Sequence, residues 1–229
     1  MADAFRIAIV GSVPAGLSAA ARAAELGLSH VLLEKTDHLS DTIYKYQKGK
    51  HVMATPSQLV LRSDMAFDAG KRETILGIWD EQVAAGKLNV RLRSEVKAIE
   101  GSRGAFTLSL SDGSRIEAEY IIMAIGTQGN PNLLRVAGGD LPHVQYQLDD
   151  PGEYVDEHIT VIGSGDAGIE NAVGLAADPA QRNVVTILNR SSDFSKAKDA
   201  NVKGLLAMRD AGRLRVMTDT SPNKVEEGF

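Results

Sequence analysis

Two glycine-rich segments of the sequence have the residue types and spacing of a turn that binds nucleotide phosphates. Residues 11–16 read GSVPAG and residues 163–168 read GSGDAG, and each follows an apolar segment. In a G-x-G-x-x-G turn between a strand and a helix, backbone N–H groups and the positive end of the helix dipole face a pyrophosphate. The second segment has all three glycines, whereas Val13 occupies the middle glycine position of the first. We therefore predict two phosphate-binding turns, of which the first is crowded.

The three glycines of the second segment have separate tasks. Gly163 allows the tight turn, Gly165 leaves room for a pyrophosphate beside the backbone, and Gly168 lets the helix pack closely against the strand. A glycine-rich turn without a ligand is the alternative interpretation. The position of the segment between a predicted strand and a predicted helix disfavours that alternative.

The residue that ends the second strand of such a unit selects the nucleotide. An acid there accepts a hydrogen bond from a ribose 2′-hydroxyl, whereas a cation accommodates the 2′-phosphate of NADP. Glu34 has the acidic position in the first unit, while in the second Asn189 is near that position and Arg190 follows it. Because arginine can pair with a phosphate through two hydrogen bonds, the sequence favours NADPH over NADH. We interpret the nearby Lys196 and Lys198 as solvated loop residues.

Hydrophobic patterning places both turns in strand–turn–helix–strand units. In the first unit, strands are predicted at 5–10 and 30–35, with a helix at 15–27 between them. The second unit repeats this pattern, and its predicted elements are a strand at 158–163, a helix at 166–178, a strand at 183–190, a helix at 199–212 and a strand at 213–218. The predicted fold class is therefore α/β with two βαβ units in tandem.

A small antiparallel excursion is predicted between the two units. After a polar, irregular segment at 36–68, the predicted elements are a helix at 70–85, a strand at 88–93 and short β segments at 94–100, 105–110 and 114–125. The Asp112-Gly113 pair indicates a hairpin between the last two β segments. Because 148–154 has the composition of a linker, we expect a first domain at 1–150 and a second at 151–229.

Composition excludes several classes of function for these 229 residues. The net charge of −5 provides no basic face for nucleic acid, and the longest apolar run, 120–126, is far too short to cross a membrane. The chain has no cysteine, which excludes a disulfide framework, a cysteine nucleophile and a thiolate metal site. The five histidines are scattered, so we predict no metal site. The N-terminal residues are typical of a first strand and not of a signal peptide, so we expect a cytoplasmic protein.

Several segments in this order resemble a known family. They are 7–35 (IAIVGSVPAGLSAAARAAELGLSHVLLEK), 121–131 (IIMAIGTQGNP), 159–176 and 184–194. Together they resemble the pyridine nucleotide–disulfide oxidoreductase superfamily, nearest its thioredoxin-reductase-like and ferredoxin–NADP-reductase-like branch. The resemblance implies two tandem Rossmann-like folds, the first binding FAD and the second NADP(H). It also implies hydride transfer from nicotinamide C4 to flavin N5, for which we assign no catalytic acid, base or nucleophile.

The resemblance assigns cofactor-binding roles to two sets of residues. Val96 would lie near the adenine, and Ala124 and Gly126 belong to the stretch that closes over the flavin in the family. The full FAD set is Gly11, Ser12, Val13, Pro14, Ala15, Gly16, Glu34, Lys35, Val96, Ala124 and Gly126. The NADP(H) set is Gly163, Gly165, Asp166, Gly168, Asn189 and Arg190.

The sequence departs from the family pattern in three ways. The C-x-x-C of its disulfide reductases is absent, which excludes thioredoxin reduction by the family mechanism. Val13 replaces a glycine. Family members also continue beyond the second fold with a segment that completes the FAD domain. We therefore expect a fragment, a shortened protein completed by a partner chain, or a changed variant with reduced function. A homo-oligomer is a further expected form of partner.

Two functions remain open from the sequence. One is a flavin-dependent NAD(P)H oxidoreductase that passes electrons to a protein or small-molecule acceptor. The other is a nucleotide-binding module, or an impaired flavoprotein fragment, that binds NADP(H) without turnover. A short-chain-type dehydrogenase is disfavoured, because the Tyr-x-x-x-Lys spacings of Tyr44–Lys48 and Tyr46–Lys50 fall in the wrong place for that fold.

Overall fold

The computed structural model describes residues 3–54, 62–86, 88–126 and 132–227. The chain forms two compact units, Met1–Asn130 and Pro131–Phe229. The division lies earlier than the boundary expected after residue 150. Leu148 packs against the hydrophobic core of the second unit, as does Tyr154 on the far side of that expected boundary. The proposed linker segment is therefore part of the second unit.

The first unit is built on a six-stranded sheet with helices packed against it. Its elements are β1 (Asp3–Val10), α1 (Pro14–Glu25), β2 (His30–Leu33), α2 (Asp41–Tyr44), β3 (His51–Val52), β4 (Gly70–Lys71), α3 (Arg72–Ala85), β5 (Val90–Arg91), β6 (Val96–Ser102), β7 (Ala105–Leu110) and β8 (Arg115–Met123). The sheet order is β5-β2-β1-β8-β7-β6, and β3 pairs with β4 in a separate ribbon. Strands β5, β2, β1 and β8 are parallel, whereas β7 and β6 join the sheet antiparallel.

Strand β8 connects the parallel and antiparallel parts of this sheet. On one side it pairs with β1 in parallel, with Ile9 opposite Ile122. On the other side it pairs antiparallel with β7 through the predicted hairpin, with Leu108 opposite Ile116. The end of β8 therefore lies beside the end of β1, next to the first glycine turn.

Successive side chains along β1 and β2 point to opposite faces of the sheet, and each face carries its own hydrophobic cluster. Ile9 and Leu32 belong to a cluster with Leu17 of α1 and Trp79 of α3. Their neighbours Ala8, Val10, Val31 and Leu33 belong to a cluster with residues of β7 and β8. Side chains pointing to both faces of β1 and β2 are thus buried, as expected of parallel strands covered on both sides.

The second unit contains a three-stranded parallel sheet in the order β11-β10-β9. Its elements are a short 3₁₀ turn (Pro151–Glu153), β9 (His158–Ile162), α4 (Asp166–Ala176), a second 3₁₀ turn (Pro179–Gln181), β10 (Val184–Leu188), α5 (Asp199–Asp210) and β11 (Leu214–Met217). Ile169 of α4, Ile187 of β10 and Leu205 of α5 are at most 1% exposed and form the centre of its core.

Two other kinds of feature are absent from the described residues. Within residues 3–54, 62–86, 88–126 and 132–227, no helix has the length and apolar character needed to cross a membrane. Over the same ranges, no group of three or more His, Asp or Glu side chains is placed to hold a metal ion.

Candidate nucleotide-binding sites

The two units repeat the same backbone hydrogen bonds around their glycine turns. In each unit, the backbone amide of the first glycine donates a hydrogen bond to the carbonyl oxygen of the last residue of the second strand. The amide of the residue that follows this strand donates to a carbonyl oxygen of the neighbouring strand in the sheet. The equivalent bonds are Gly11–Leu33 (2.9 Å) with Gly163–Leu188 (3.0 Å), and Glu34–Arg91 (3.0 Å) with Asn189–Met217 (2.8 Å). Val13 and Gly165 therefore occupy equivalent positions, and so do Glu34 and Asn189.

The first turn requires glycine at both of its ends. Gly11 has φ +98°, and a Cβ on it would lie 2.3 Å from the carbonyl oxygen of Ala124. A Cβ on Gly16 would lie 1.9 Å from the carbonyl oxygen of Gly11. These distances are far below contact distance and involve backbone atoms, so larger residues cannot be accommodated without a backbone shift. The predicted site residues Gly11, Gly16 and Ala124 are thus brought together.

Val13 is accommodated by the backbone, and its side chain lies close to Gly126. It is the N-cap residue of α1, with φ −63° and ψ 167°, a conformation that any residue adopts. Gly165 caps α4 with nearly the same angles, −75° and 178°. A Cγ of Val13 lies 3.9 Å from the position that a Cβ of Gly126 would take. The valine therefore narrows the gap between the turn and the chain after β8 without straining the helix start.

The other predicted residues of the first site differ in their surroundings. Pro14 begins α1, where its missing N–H has no helical partner to lose, and Ala15 is exposed on the first turn. Lys35 is exposed, whereas Val96 lies at the start of β6, packed against the cluster shared by β1, β2, β7 and β8. Residues 127–131 of the predicted flavin-closing stretch lie outside the described residues.

Glu34 is buried and bonded within the protein. Its Oε2 accepts hydrogen bonds from the amide of Ser12 (3.0 Å) and from the Ser12 hydroxyl (2.5 Å). Its Oε1 accepts from the amide of Thr36 (3.1 Å). Ser40 in turn donates its amide to the Ser12 hydroxyl at 2.8 Å. Ser12 and Glu34 are both predicted site residues, but their contact does not follow from the sequence.

In the second turn the third glycine packs against the first, as it does in the first turn, but the space beside the middle glycine is open. Gly163 has φ +105°, and a Cβ on Gly168 would lie 2.0 Å from the Gly163 carbonyl oxygen, as in the first turn. A Cβ on Gly165 would have no atom within 4 Å. The backbone at the N-terminus of α4 is thus open to a ligand at the position where a pyrophosphate would approach.

A cavity of about 480 Å³ lies in front of this turn, at the carboxyl ends of β9 and β10. Four predicted site residues line it, namely Gly163, Gly165, Asn189 and Arg190. The lining residues that sequence reasoning did not select include Ser164, Ser191, Asp193, Phe194, Ser195 and Thr220. The carboxyl edge of a parallel sheet is the usual ligand position in α/β folds, and this rule could have identified the loop after β10.

Asn189 organises the loop that carries Arg190. Its Oδ1 accepts from the amide of Ser191 at 3.2 Å, and its Nδ2 donates to the carbonyl oxygen of Asp193 at 2.5 Å. Asn189 is 5% exposed, whereas Arg190 is exposed and forms no salt bridge within the described part of the chain. The hydroxyl and the amide of Ser195 lower the pKa of Asp193 from its ordinary value, so this loop also carries a carboxylate at neutral pH.

Asp166 lies against α5 and not in the cavity lining. Its Oδ1 accepts from the amide of Lys198 and from Nδ2 of Asn201, both at 2.8 Å. Lys198 is the N-cap residue of α5, so the carboxylate fixes the start of that helix. The structure thus gives Asp166 a role in joining α4 to α5, while its predicted contact with a nucleotide stays a prediction.

The sequence profile of the pyridine nucleotide-disulphide oxidoreductase family matches residues 8–226. The chain belongs to this family. A ferredoxin–NADP reductase from Ignicoccus hospitalis is 31% identical over 188 residues, which cover 81% of this chain and 56% of that protein. The bacilliredoxin reductase Bdr of Bacillus subtilis is 26% identical over 82% of this chain and 57% of its own length. This family member therefore spans about half the length of these curated relatives.

A solved structure confirms the predicted fold of this family member. The bacillithiol disulfide reductase Bdr from Bacillus cereus matches with a TM-score of 0.86 and 24% identity, covering 98% of this chain and 71% of that one. The prediction of tandem nucleotide-binding folds with an antiparallel excursion is therefore confirmed.

Proposed function

We propose that this chain forms the FAD- and NADP(H)-binding part of a flavin-dependent NAD(P)H oxidoreductase. The observation that carries the proposal is the second turn, where an open Gly165, the α4 N-terminus and Arg190 surround one cavity. When bound, the cofactors supply the redox chemistry, in which a hydride passes from nicotinamide C4 to flavin N5 and the electrons go on to an acceptor.

In the second unit, the chain's own groups would bind and orient the nicotinamide nucleotide. Ser164 and Gly165 line the cavity at the N-terminus of α4, whose positive end and unpaired first-turn N–H groups would favour a pyrophosphate there, while the Gly163 amide is bonded to the Leu188 carbonyl oxygen. Arg190 would pair with the 2′-phosphate, since its guanidinium is exposed at the cavity edge. The Asn189 side chain holds the loop that presents it.

In the first unit, the chain would hold FAD at the turn between β1 and α1. Gly11 and Gly16 fit the tight packing that such a turn requires. Val13 fits less well, because its side chain narrows the approach to the turn. This residue favours the second candidate function, a nucleotide-binding module that holds NADP(H) without turnover.

The electron acceptor would lie outside this chain. The relatives are named for ferredoxin and for bacilliredoxin, which are protein acceptors. Residues 1–229 contain no cysteine, so they supply no disulfide to relay electrons. We propose an acceptor protein or small molecule that takes electrons directly from the flavin.

The visible absorption spectrum of the purified chain tests this proposal. FAD and then NADPH are added without oxygen, and we expect a bound flavin band that bleaches on addition of NADPH. A chain that takes up no FAD at high concentration would contradict the oxidoreductase proposal. Protection of the same chain against thermal unfolding by NADPH would then support the binding module, because a ligand of the folded state raises its stability.

Arg190→Ala should weaken NADPH binding about 10- to 100-fold, since a hydrogen bond to a charged group contributes roughly 1.5–3 kcal/mol. Binding of NADH, which has no 2′-phosphate, should change by about twofold or less. The two dissociation constants can be measured by calorimetric titration. Arg209→Ala, which removes an exposed arginine paired with Asp210 on α5, is the matched control and should leave both constants unchanged. Equal losses for NADPH and NADH in the Arg190 variant would rule out a 2′-phosphate contact.

A further inference from the structure

A basic and aromatic surface is formed by α2, the loop that follows it and the β3–β4 ribbon. Segments 41–51 and 70–73 hold five lysine and arginine residues and two carboxylates, although the chain as a whole has a net charge of −5. This surface therefore carries a local excess of positive charge on an acidic chain. We call it the basic patch, and its exposed or partly exposed residues are Tyr44, Lys45, Lys48, Lys50, Lys71 and Arg72.

The two carboxylates hold the basic patch together without cancelling its charge. Asp41 pairs with Lys45 at 2.8 Å. Glu73 pairs with Arg72 at 3.1 Å and accepts a hydrogen bond from the Gly49 amide at 3.0 Å. The loop after α2 is thus bonded to the start of α3. Since the cations outnumber the carboxylates, the surface stays positive.

Two of the cations lie over aromatic rings. The Arg72 guanidinium lies 5.1 Å from the centre of the Tyr44 ring, and its Nε donates to the Tyr44 carbonyl oxygen at 2.9 Å. The Lys50 ammonium lies 4.6 Å from the centre of the Tyr46 ring. Tyr44 is 46% exposed. Because tyrosine and arginine are enriched in protein–protein interfaces, this composition favours a protein as the partner.

The basic patch begins beside the first glycine turn. Ser40, which precedes α2, donates its amide to the Ser12 hydroxyl and its hydroxyl to the Ser12 carbonyl oxygen, both at 2.8 Å. The Thr42 hydroxyl oxygen on α2 lies 4.0 Å from the position that a Cβ of Gly126 would take. Helix α2 therefore connects the basic patch to the turn proposed to hold FAD.

We propose that the basic patch docks an acidic protein that accepts electrons from the flavin. This inference rests on the proposed function and gives its acceptor a chemical class. Opposite charges on the two proteins steer their encounter, and electron-transfer complexes have small interfaces in which such steering matters. A long polyanion such as DNA would also extend over the negative remainder of the chain, which would repel it.

Binding of a plant-type ferredoxin, a small acidic iron–sulfur protein, tests the docking surface without flavin or NADPH. Calorimetric titration at low salt measures it, and binding should weaken steeply as salt is added. Lys48→Glu combined with Lys71→Glu should raise the dissociation constant about tenfold or more. Lys203→Glu combined with Arg209→Glu, on exposed positions of α5, changes the net charge equally and should stay within about threefold of the natural chain.

Equal losses in the two variants, or binding that does not depend on salt, would overturn the proposal. The same holds if ferredoxin does not bind at low salt, or if a short DNA duplex binds as tightly, which would make the patch a site for polyanions. Chemical acetylation of lysines needs only the natural chain. Ferredoxin should protect Lys48 and Lys71 and leave Lys203 reactive, and unchanged reactivity of all three would overturn the proposal.

Steady-state kinetics of the FAD-loaded chain distinguish this proposal from the proposed function. Oxidation of one NADPH to NADP⁺ releases two electrons and one proton, so it reduces two ferredoxin molecules by one electron each. The Lys48, Lys71 variant should have a KM for ferredoxin raised about tenfold, with reduction of uncharged benzoquinone unchanged. Equal losses with both acceptors would overturn the docking proposal. A natural chain that reduces neither acceptor contradicts the oxidoreductase function, and ferredoxin binding alone then decides whether the patch docks an acidic protein.

Discussion

Gly168→Ala should destabilise the second unit by about 1–3 kcal/mol, whereas Gly204→Ala should be neutral or stabilise it by about 0.5–1 kcal/mol. An alanine Cβ at position 168 would lie 2.0 Å from the carbonyl oxygen of Gly163 and 3.0 Å from its carbon, so the helix or the turn must shift. A Cβ at Gly204, within α5, would have no atom within 4 Å. The two variants add the same methyl group to helices of the same unit, and urea unfolding followed by circular dichroism measures both.

The Gly168 variant should also lose NADPH affinity, because the shift moves the N-terminus of α4 away from the position where a pyrophosphate would lie. Gly204→Ala should bind NADPH like the natural chain. Equal stability of the two variants would show that the helix can move away from the strand at little cost. The close packing of α4 on the turn would then not be a requirement of this fold.

Elements with a strong pattern could be predicted from the sequence. The strand–turn–helix of the second unit was predicted at 158–163 and 166–178 and is found as β9 and α4, with only the ends shorter. Alternating or continuous apolar residues and a helix-starting glycine turn are local signals, and they suffice here. The hairpin at Asp112-Gly113 was predicted for the same reason and is confirmed by the pairing of β7 with β8.

Features that depend on distant residues could not be predicted. Helix α2 is four residues long and follows Ser40, whose left-handed backbone is supported by bonds to Ser12 from 28 residues away. A segment predicted to be irregular therefore contains a short helix. The composition of 148–154 also gives no sign that this stretch belongs to the second unit, because Leu148 packs against a core that the local sequence does not reveal.

The candidate sites also combine features that could be predicted from the sequence with features that could not. Which glycines form the turns follows from spacing, since the third glycine of each turn packs on the carbonyl of the first. What Glu34 contacts does not follow from spacing, because its partners are set by the approach of the turn and of the segment after β2. Position along the chain therefore selects the acidic residue but does not determine its bonding partners.

Val13→Gly should raise the affinity for FAD by about tenfold or more. Removing the isopropyl group relieves crowding of the kind that typically costs 1–3 kcal/mol, and 1.4 kcal/mol corresponds to a factor of ten. The helix should not suffer, because Val13 makes no side-chain capping bond and glycine is a better N-cap residue than valine. Fluorescence titration with FAD measures the change, and NADPH affinity should stay constant because the second turn is untouched.

The reciprocal variant Gly165→Val tests the same physical cause at the equivalent position. A valine there is compatible with the backbone, since φ is −75° and a Cβ would have no atom within 4 Å. The variant should therefore fold with normal stability, yet bind NADPH at least tenfold more weakly, because its side chain would take the space left for the pyrophosphate. If Val13→Gly leaves FAD binding unchanged while Gly165→Val abolishes NADPH binding, the first turn does not bind a pyrophosphate and its glycines serve the fold alone. If Val13→Gly raises the affinity for FAD and Gly165→Val lowers the affinity for NADPH, the residue at this position sets the nucleotide affinity of both turns.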